Sequence, residues 1–477
     1  MKEGYIKQED RKKILLLTDD IRVHSGVAQI GREIIHNTAQ RYNWCQIAGS
    51  VKHPDKGKPF DYAPAIKEEM GVEDAHCMLY PVDGYGNPDT LRAVIQREKP
   101  DAILLITDPR YFMWVFQMED EIRANIPIAY LNIWDDLPAP QYNEEFYESC
   151  DALFGISKQT VAINKIVLGD KAKNKVIEYV PHGLDTKKFF PIKDDYNPEF
   201  EDFKKQITRG KEKDFILLFN SRNIRRKSIP DALTSWKLFL DDLSKEDRDK
   251  CLFILHTDPV SDHGTDLPAV IEYLFGGDDE SVCISNQKLP HQHMNYLYNM
   301  ADGVILLSSA EGWGLALTES LLTGTPFIAN VTGGMQDQMR FVDNDGNWYT
   351  NSEEMPSNQF GTYKEHGEWA LPVFPKAMGM VGSPITPYIW DSRCDFRDGK
   401  NRIAELYSMS KEERQKIGNA GREWAMSDEA GFTAEKMGEK VINSMDKLFS
   451  TWTPRKTFTF SKDTDYKTRQ LNHKLEY

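Results

Sequence analysis

Two glutamates eight residues apart, Glu311 and Glu319, lie in the segment AEGWGLALTE. The apolar run 303–309 before this segment predicts a buried strand, and the segment itself predicts a turn followed by a helix that opens near Leu315. Glu311 then lies in the turn and Glu319 in the second helical turn, about 12 Å apart along the axis. At that distance one carboxylate can reach a sugar while the other reaches the hydroxyl pair of a ribose.

Glycines around the same turn affect what it can bind. Gly312 and Gly314, on either side of Trp313, would let the backbone approach a ligand closely. The helix N-terminus presents free N–H groups and a positive dipole end, which suit a diphosphate. Gly333 and Gly334 predict a second open loop after the next strand. An acidic surface helix between two core strands would explain the glutamates alone, but not the whole arrangement.

Four cations follow another predicted strand in the segment SRNIRRK, which covers residues 221–227. Such a run can be a solvated charge run or a nucleic-acid patch. Its position at the end of a strand, facing the expected cleft, favours a third interpretation, in which Arg222 and Lys227 neutralise a diphosphate. Arg225 and Arg226 are then free to be solvated.

Two carboxylates and a glycine follow strands in the first half of the chain. Asp108 and Asp135 each follow an apolar run and precede a proline closely. Strand-end carboxylates that face a cleft can bind sugar hydroxyls, but aspartate near proline is also a common turn residue, and both interpretations stay open. Gly26 follows the first strand and its loop, where doubly wound sheets bind ligands.

Apolar runs that predict strands recur along both halves of the chain, with helical segments between them. This alternation indicates parallel sheets covered on both faces, so the predicted fold class is α/β. The predicted strands cover residues 13–18, 45–48, 102–106, 128–133, 152–156 and 176–180 in the first half, and 215–220, 252–257, 282–285, 303–307 and 327–330 in the second. Two such halves joined by a linker place a cleft between them.

Composition shifts divide the chain into domains. The predicted divisions are an N-terminal domain at 1–190, a polar linker at 191–213, a second domain at 214–427, and a C-terminal helix and basic tail at 428–477. Within the second domain, residues 337–398 are rich in tryptophan, tyrosine, glycine and proline. That composition predicts an inserted region.

Overall composition limits the class of protein. The chain has 477 residues and a formal net charge of −15, which favours solubility and gives no general attraction to nucleic acid or acidic membranes. Its six cysteines contain no C-x-x-C pair and are expected to be reduced, mostly buried thiols. Neither a signal peptide nor a membrane-spanning run is visible. We therefore expect a cytoplasmic protein without a membrane span.

These motifs resemble those of the GT-B-fold retaining glycosyltransferases of the glycogen-synthase and sucrose-synthase group, often called family 4. Glu311 and Glu319 match the E-x7-E element of this family, with Trp313 where phenylalanine is usual. Arg222 and Lys227 match its R-x4-K pair, which binds the donor diphosphate. By resemblance, Glu319 would hold the donor ribose and Glu311 the transferred sugar.

Further matches lie at the start of the chain and at the domain boundary. Gly26 matches the first-loop glycine near the donor diphosphate, and the segment PHGLD at 181–185, with Phe189 and Pro191, is similar to the boundary motif. The resemblance covers most of the chain and is weakest in the inserted region. It implies two Rossmann-like domains that face a central cleft, with the final helix returning to the first domain. The donor site that it implies also includes Gly312, Trp313, Gly314, Leu315, Gly333 and Gly334.

The chain departs from the family pattern at the strand end that, in the family, closes the fourth or fifth N-terminal strand. Some members carry a histidine there, whereas this chain has Asp108 and Asp135. Which first-domain residue contacts the donor sugar and the acceptor therefore stays open. Both aspartates join Arg222, Lys227 and Glu311 in the candidate catalytic set.

The resemblance implies transfer of a hexosyl or pentosyl group from a nucleotide-diphosphate sugar, with UDP as the expected nucleotide, to an acceptor hydroxyl with retention. The leaving diphosphate, held by Arg222, Lys227 and the helix end, can itself take the acceptor proton. Electrostatic stabilisation would then be the main catalytic effect. The cations would do the work of a metal, so we expect neither a metal nor a cofactor beyond the nucleotide-sugar co-substrate.

Two other functions stay open on the same fold. One is a nucleotide-sugar 2-epimerase, which incubation with donor alone would distinguish, and the other is a non-catalytic sugar-nucleotide-binding protein. For a transferase, the acceptor candidates are a glycan, a small glycoside, a protein side chain or a hydroxymethylated base in DNA. The acidic net charge disfavours DNA, although a local basic cleft would still bind phosphates.

Overall fold

Two parallel β-sheets, one in each half of the chain, form the framework of the protein. The computed structural model describes residues 4–192, 197–277, 280–351 and 358–455. Parts of the predicted linker and insertion, and the predicted basic tail from residue 456 onward, lie outside the described residues.

The first sheet has eight strands within the described residues, in the order β3-β4-β2-β1-β5-β6-β7-β8. They are β1 (Lys13–Asp19), β2 (Asn43–Ser50), β3 (Phe60–Asp61), β4 (Cys77–Asp83), β5 (Ala102–Ile106), β6 (Ile128–Asn132), β7 (Ala152–Gly155) and β8 (Val176–Tyr179). All pair in parallel except β3, which runs antiparallel to β4. The six strands predicted in this half are confirmed, each to within two residues at either end.

β3 and β4 were absent from the sequence-based expectation. β4 alternates buried and half-buried residues and contains Pro81, so it lacks the continuous apolar run of a strand covered on both faces. β3 has only two residues, both exposed. Strands at or next to the edge of a sheet are partly exposed to solvent, so their hydrophobic sequence pattern is weaker.

The second sheet has six parallel strands in the described part of the chain, in the order β11-β10-β9-β12-β13-β14. They are β9 (Phe215–Asn220), β10 (Cys251–His256), β11 (Val282–Ser285), β12 (Gly303–Leu306), β13 (Phe327–Asn330) and β14 (Ala370–Val373). The five strands predicted in this half are confirmed to within one residue. β14 comes from residues 337–398, so the region expected to be an insertion also supplies the edge strand of the sheet.

Helices cover both sheets. In the first half they are α1 (Gly26–Thr38), α2 (Ala63–Met70), α3 (Pro88–Glu98), α4 (Met113–Phe116), α5 (Glu119–Arg123), α6 (Glu144–Glu148) and α7 (Lys158–Leu168). The second half contains α8 (Pro198–Ile207), α9 (Ile229–Asp241), α10 (Lys245–Asp249), α11 (Leu267–Phe275), α12 (His291–Asn299), α13 (Leu315–Thr323), α14 (Met335–Gln338), α15 (Phe396–Ser408), α16 (Lys411–Ala425) and α17 (Ala434–Thr451). A separate hairpin consists of β15 (Ala377–Ser383) and β16 (Thr386–Arg393). α16 begins with the capping box that the sequence predicts, in which Ser410 and Glu413 bond each other's backbone N–H groups.

The hairpin of β15 and β16 extends from the second half onto the first. The N–H of Trp390 donates to the carbonyl of Leu137 at 2.8 Å, and the hydroxyl of Tyr142 donates to the carbonyl of Tyr388 at 3.0 Å. Ile389 packs against the apolar core of the first half. We call this element the interdomain hairpin, because it bridges the two halves beside the cleft.

α17 also crosses between the halves, since it packs against α1. Asp446 accepts a hydrogen bond from the hydroxyl of Tyr42 at 2.7 Å and forms an ion pair with Arg41 at 2.6 Å. Thr433 caps the start of the helix by accepting from the N–H of Lys436 at 3.2 Å. The chain therefore ends its described part on the first half, while the domain boundaries assigned at residues 190, 213 and 427 stay predictions.

Two further properties concern burial. The six cysteines are free thiols, four of them buried and two half-buried, as their scattered positions predict. Within the described ranges, none of the helices combines the length and apolar composition that crossing a bilayer requires.

We predict that Met445→Ala loosens α17 from the first half. Met445 is fully buried, and truncation of a buried methionine costs about 2–5 kcal/mol. Lys447→Ala is the control, because Lys447 pairs with Glu178 at the surface and such a pair contributes less than about 1 kcal/mol. Calorimetry should show a clearly lower unfolding midpoint for Met445→Ala alone. Equal midpoints for the two variants would contradict this packing.

Candidate functional site

A cavity of about 800 Å³ opens between the carboxyl ends of the two sheets. Most of the residues predicted from the sequence line it: Gly26, Asp135, Arg222, Lys227, Glu311, Gly312, Trp313, Gly314, Leu315 and Glu319. The structure thus brings together residues from both halves at the place where doubly wound sheets bind ligands.

The turn between β12 and α13 forms one wall of the cavity. α13 begins at Leu315, as predicted, and Gly314 precedes it with φ +87°, a left-handed conformation that favours glycine. A Cβ atom on Gly312 would lie 2.4 Å from the carbonyl oxygen of Ile133 in the first half. Gly312 is therefore needed because the two halves approach each other closely here, and the N-terminus of α13 faces the cavity.

Glu311 lies at the centre of a buried charge cluster. Its carboxylate forms ion pairs with the ammonium of Lys227 and, at 3.2 Å, with the guanidinium of Arg226. The hydroxyl of Ser308 also donates to it at 2.9 Å. Burial acts to raise the pKa of Glu311, but the charges of Lys227 and Arg226 outweigh burial and hold it below its ordinary value. Glu311 is therefore ionised.

Arg226 extends this cluster to the first half. Its Nε atom lies 3.2 Å from Oδ2 of Asp135, and Oδ1 of Asp135 accepts from the N–H of Gly312 at 3.1 Å. Burial raises the pKa of Asp135, and the negative charge of Glu311 adds to this effect. The positive charges of Arg226 and Lys227 oppose the shift. The interpretation of Arg226 as solvated is wrong, because a charge run does not reveal carboxylates that approach from distant parts of the chain.

The two predicted diphosphate ligands have different surroundings. The side chain of Arg222 is exposed on the cavity wall. Lys227 is buried at 9% exposure and pairs with Glu311. Burial lowers the pKa of Lys227, although the charge of Glu311 acts in the opposite direction. One cation is thus open to a ligand, whereas the other is neutralised by a carboxylate of the protein.

Glu319 faces the cavity from the second turn of α13. Its Oε2 atom accepts hydrogen bonds from the hydroxyl of Tyr298 and from the amide of Asn220, the latter at 3.1 Å. Burial raises the pKa of Glu319 to about 7, and these two hydrogen bonds oppose the shift without cancelling it. Tyr298 and Asn220 were not predicted as site residues, since an isolated tyrosine and a strand-end asparagine carry no motif.

Gly26 begins α1 on the opposite wall. Ser25 caps the helix by accepting from the N–H of Ala28 at 3.0 Å and donates its hydroxyl to Asp19 at 2.5 Å. A Cβ atom on Gly26 would meet nothing within 4 Å among the described residues. The protein's own packing therefore does not require glycine here, and the space in front of Gly26 is available to a ligand.

Asp108 is not among the described residues that line the cavity. Its carboxylate pairs with the guanidinium of Arg110 and accepts from the N–H of Arg110 at 3.0 Å, which is the turn interpretation considered from the sequence. The neighbouring Thr107 does line the cavity, with φ +134°. The structure thus separates the two candidate aspartates and groups only Asp135 with the charged cluster.

The prediction of an open loop at Gly333 and Gly334 is wrong. Both residues are buried, and a Cβ atom on Gly333 would lie 2.1 Å from the carbonyl oxygen of Glu311. The N–H of Gly334 donates to the same oxygen at 2.9 Å. The two glycines allow this loop to pack directly beneath the turn of Glu311, so they support the cavity wall without lining it.

His182 was not predicted as a site residue although it belongs to the boundary motif. It lines the cavity at 3% exposure, and its Nε2 atom has no hydrogen-bond partner among the described residues. Burial lowers the pKa of His182 to about 3, so the imidazole is neutral. No group of three or more His, Cys, Asp or Glu within the described residues is arranged to hold a metal ion.

Comparison with solved structures identifies the fold. Sucrose-phosphate synthase from Thermosynechococcus elongatus aligns with a TM-score of 0.66 and 15% identity, over 92% of this chain and 100% of the other. HepE of Anabaena, in complex with UDP and glucose, aligns with a TM-score of 0.62 and 14% identity, over 92% and 100%. A glycosyltransferase from Rickettsia africae gives 0.61 and 13%, over 92% and 99%.

These neighbours are GT-B glycosyltransferases, and the likeness confirms the expected GT-B fold of two Rossmann-like domains. No family model matches the sequence, and no curated protein matches it. The identities are low, so the likeness establishes the architecture and leaves the activity to be argued from the cavity.

We predict that Glu319 makes the ligand-free protein less stable as the pH rises. Its pKa is about 7 in the folded state, against roughly 4.3 in an unfolded chain. The folded state binds more protons between these values, so stability is fully present below about pH 4 and is lost as the pH rises through about 7. The loss attributable to Glu319 is on the order of 3 kcal/mol.

Glu319→Gln should remove this loss, because the amide oxygen can still accept both hydrogen bonds but does not titrate. Denaturant unfolding of both proteins at about pH 4.5 and about pH 8 measures it. Glu412→Gln, on an exposed helix face, is the control and should retain the wild-type dependence. A Glu319→Gln variant with the same pH dependence as the wild type would show that folding does not raise the pKa of Glu319.

Proposed function

We propose that this protein is a retaining glycosyltransferase that transfers a sugar from a nucleotide-diphosphate sugar, with UDP as the expected nucleotide, to an acceptor hydroxyl. The observation that carries the proposal is the convergence of Arg222, Lys227, Glu311 and Glu319 with the N-terminus of α13 in one cavity. Cations and free N–H groups suit the diphosphate, and the two carboxylates suit hydroxyls on either side of it.

Glu319 would bind the ribose of the donor. Both of its described hydrogen bonds, from Tyr298 and Asn220, end on Oε2, which leaves Oε1 for a ribose hydroxyl. Tyr298 and Asn220 already fix the position of the carboxylate. Donor binding would therefore cost little side-chain conformational entropy at Glu319.

The diphosphate would bind between the two helix N-termini. Gly26 opens α1 without steric need for glycine, and Gly314 and Leu315 present the start of α13 from the other side. Arg222 is already exposed to the cavity, and Lys227 would exchange its pairing with Glu311 for the phosphate oxygens. Glu311 would then be free to accept hydrogen bonds from the hydroxyls of the transferred sugar.

In the proposed reaction the bond between the anomeric carbon and the diphosphate oxygen breaks, and the acceptor oxygen forms its bond on the same face. The acceptor proton passes to the departing diphosphate. Arg222 and Lys227 stabilise the negative charge that develops there, which in a water-excluded cleft is worth more than in solution. Asp135, the first-half carboxylate in the charged cluster, is better placed than Asp108 to contact the sugar or the acceptor.

The first experiment is incubation with UDP-glucose and other nucleotide sugars, alone and with acceptors. Appearance of an epimer with donor alone would identify an epimerase, and binding without turnover in every mixture would identify a non-catalytic binding protein. UDP release that depends on an acceptor supports the transferase. Mass spectrometry of glycans, small glycosides, peptides and hydroxymethylated DNA then identifies the acceptor class, and the anomeric configuration of the product tests retention.

We predict that Glu319→Ala mainly raises KM for the donor, whereas Arg222→Ala and Lys227→Ala mainly lower kcat. A ribose contact is equally strong in the ground and transition states, while the charge on the diphosphate grows as it leaves. Steady-state kinetics with UDP-glucose should show kcat reduced on the order of 100-fold in the cation variants. Arg225→Ala, a neighbouring exposed cation, is the control. Unchanged kcat in both cation variants would remove Arg222 and Lys227 from the leaving-group role.

We also predict that activity persists in excess EDTA. In the proposed mechanism the protein's own cations, Arg222 and Lys227, supply the positive charge that the leaving diphosphate needs. Initial rates should be the same within about twofold with and without the chelator. Loss of activity that Mg²⁺ or Mn²⁺ restores would contradict this part of the mechanism.

A further inference from the structure

Arg226 contacts one carboxylate in each half of the protein. Its Nε atom lies 3.2 Å from Oδ2 of Asp135, and its Nη1 atom lies 3.2 Å from Oε2 of Glu311. Its main chain is fixed as well, because the carbonyl of Arg226 accepts from the N–H of Ser309 at 2.7 Å. The guanidinium is therefore held by the second half and reaches across the cavity wall to the first.

The same aspartate has a second attachment to the second half. Oδ1 of Asp135 accepts from the N–H of Gly312 at 3.1 Å, the residue whose missing Cβ allows Ile133 to approach. The carboxylate thus forms an ion pair with a side chain and accepts a hydrogen bond from the backbone, both across the interface between the halves.

We infer that Arg226 is a positioning residue. It links Asp135 of the first half to Glu311, in the turn between β12 and α13 of the second half, and so fixes the distance between the two walls of the cavity. This role rests on the proposed function, but it assigns Arg226 no contact with the substrate. Arg226 acts through the two carboxylates that it holds.

The charge balance explains why a second cation is needed beside Lys227. Asp135 and Glu311 are two anions, and Arg226 and Lys227 are two cations. When Lys227 turns to a diphosphate, Glu311 loses one of its partners. Arg226 then remains as the cationic partner of the buried Glu311 and of the partly exposed Asp135. Lysine would not replace it fully, because a single ammonium cannot reproduce the planar fork that contacts both carboxylates.

The first test does not depend on activity. In Arg226→Gln, hydrogen exchange of the backbone N–H groups in the turn between β12 and α13, which contains Gly312, should be about tenfold faster, since Asp135 loses a charged partner. Arg225→Gln is the matched control, because Arg225 is adjacent and exposed and its side chain has no ion pair among the described residues. Asp135→Asn should reproduce the effect. Wild-type exchange in both Arg226→Gln and Asp135→Asn would overturn the inference.

The second test uses UDP-glucose as the donor probe. Arg226→Gln should lower kcat/KM by at least about tenfold and move the acid limb of its pH profile upward, because Asp135 loses a cation while Glu311 and burial still favour its protonation. Arg226→Lys should lie between this variant and the wild type. In an Asp135→Asn background, Arg226→Gln should lower kcat/KM by clearly less than in the wild type, because only its contact with Glu311 is left to lose.

Full additivity of the two substitutions would show that Arg226 does not act through Asp135 and would overturn the inference. If no nucleotide sugar is turned over, the proposed function fails, and amide exchange alone decides whether Arg226 holds the two halves together. If transfer occurs but Arg226→Gln leaves exchange and the pH profile unchanged, the proposed function stands and the role of Arg226 fails.

Discussion

The buried carboxylate of Glu311 and the ion pairs around it place the strongest constraint on this structure. Glu311 is only 4% exposed, and a carboxylate in such a position is costly to ionise without compensating charge. Lys227 and Arg226 provide that charge from the same half, and Asp135 enters from the other half to pair with Arg226. The cluster is balanced only when the two halves meet, so the electrostatics of the site and the arrangement of the domains are linked.

The contact between the two halves depends on glycines, at which backbone atoms approach more closely than a Cβ atom would permit. Gly312 admits the carbonyl of Ile133, and Gly333 admits the carbonyl of Glu311. The turn that carries Glu311 is therefore held from below by one loop of its own half and from across the cleft by the first half. A carboxylate on so constrained a turn keeps its position without a ligand, which reduces the ordering needed on binding.

The cluster also suits the proposed chemistry. Lys227 is neutralised by Glu311, while the side chain of Arg222 is exposed to the cavity. A diphosphate would compete with Glu311 for Lys227, and the released carboxylate would lie next to the sugar attached to that diphosphate. Donor binding would thus move Lys227 from Glu311 to the diphosphate, and the same step would free Glu311 to bind the sugar. Charge pairs that are buried, such as Glu311 with Lys227, act more strongly than pairs at an exposed surface.

The sequence by itself determined the features that depend on near neighbours. The strands of both sheets, the start of α13 at Leu315 and the capping box at Ser410 follow from periodicity and turn chemistry within a few residues. The same holds for the pairing of Asp108 with Arg110, two positions along the chain. Only the tertiary structure decided that Asp135, with a similar local pattern, pairs with Arg226 instead. The reason is physical. Which charges neutralise each other across the cleft depends on how the two sheets pack together. The spacing of residues within either segment carries no information about the distance between Asp135 and Arg226.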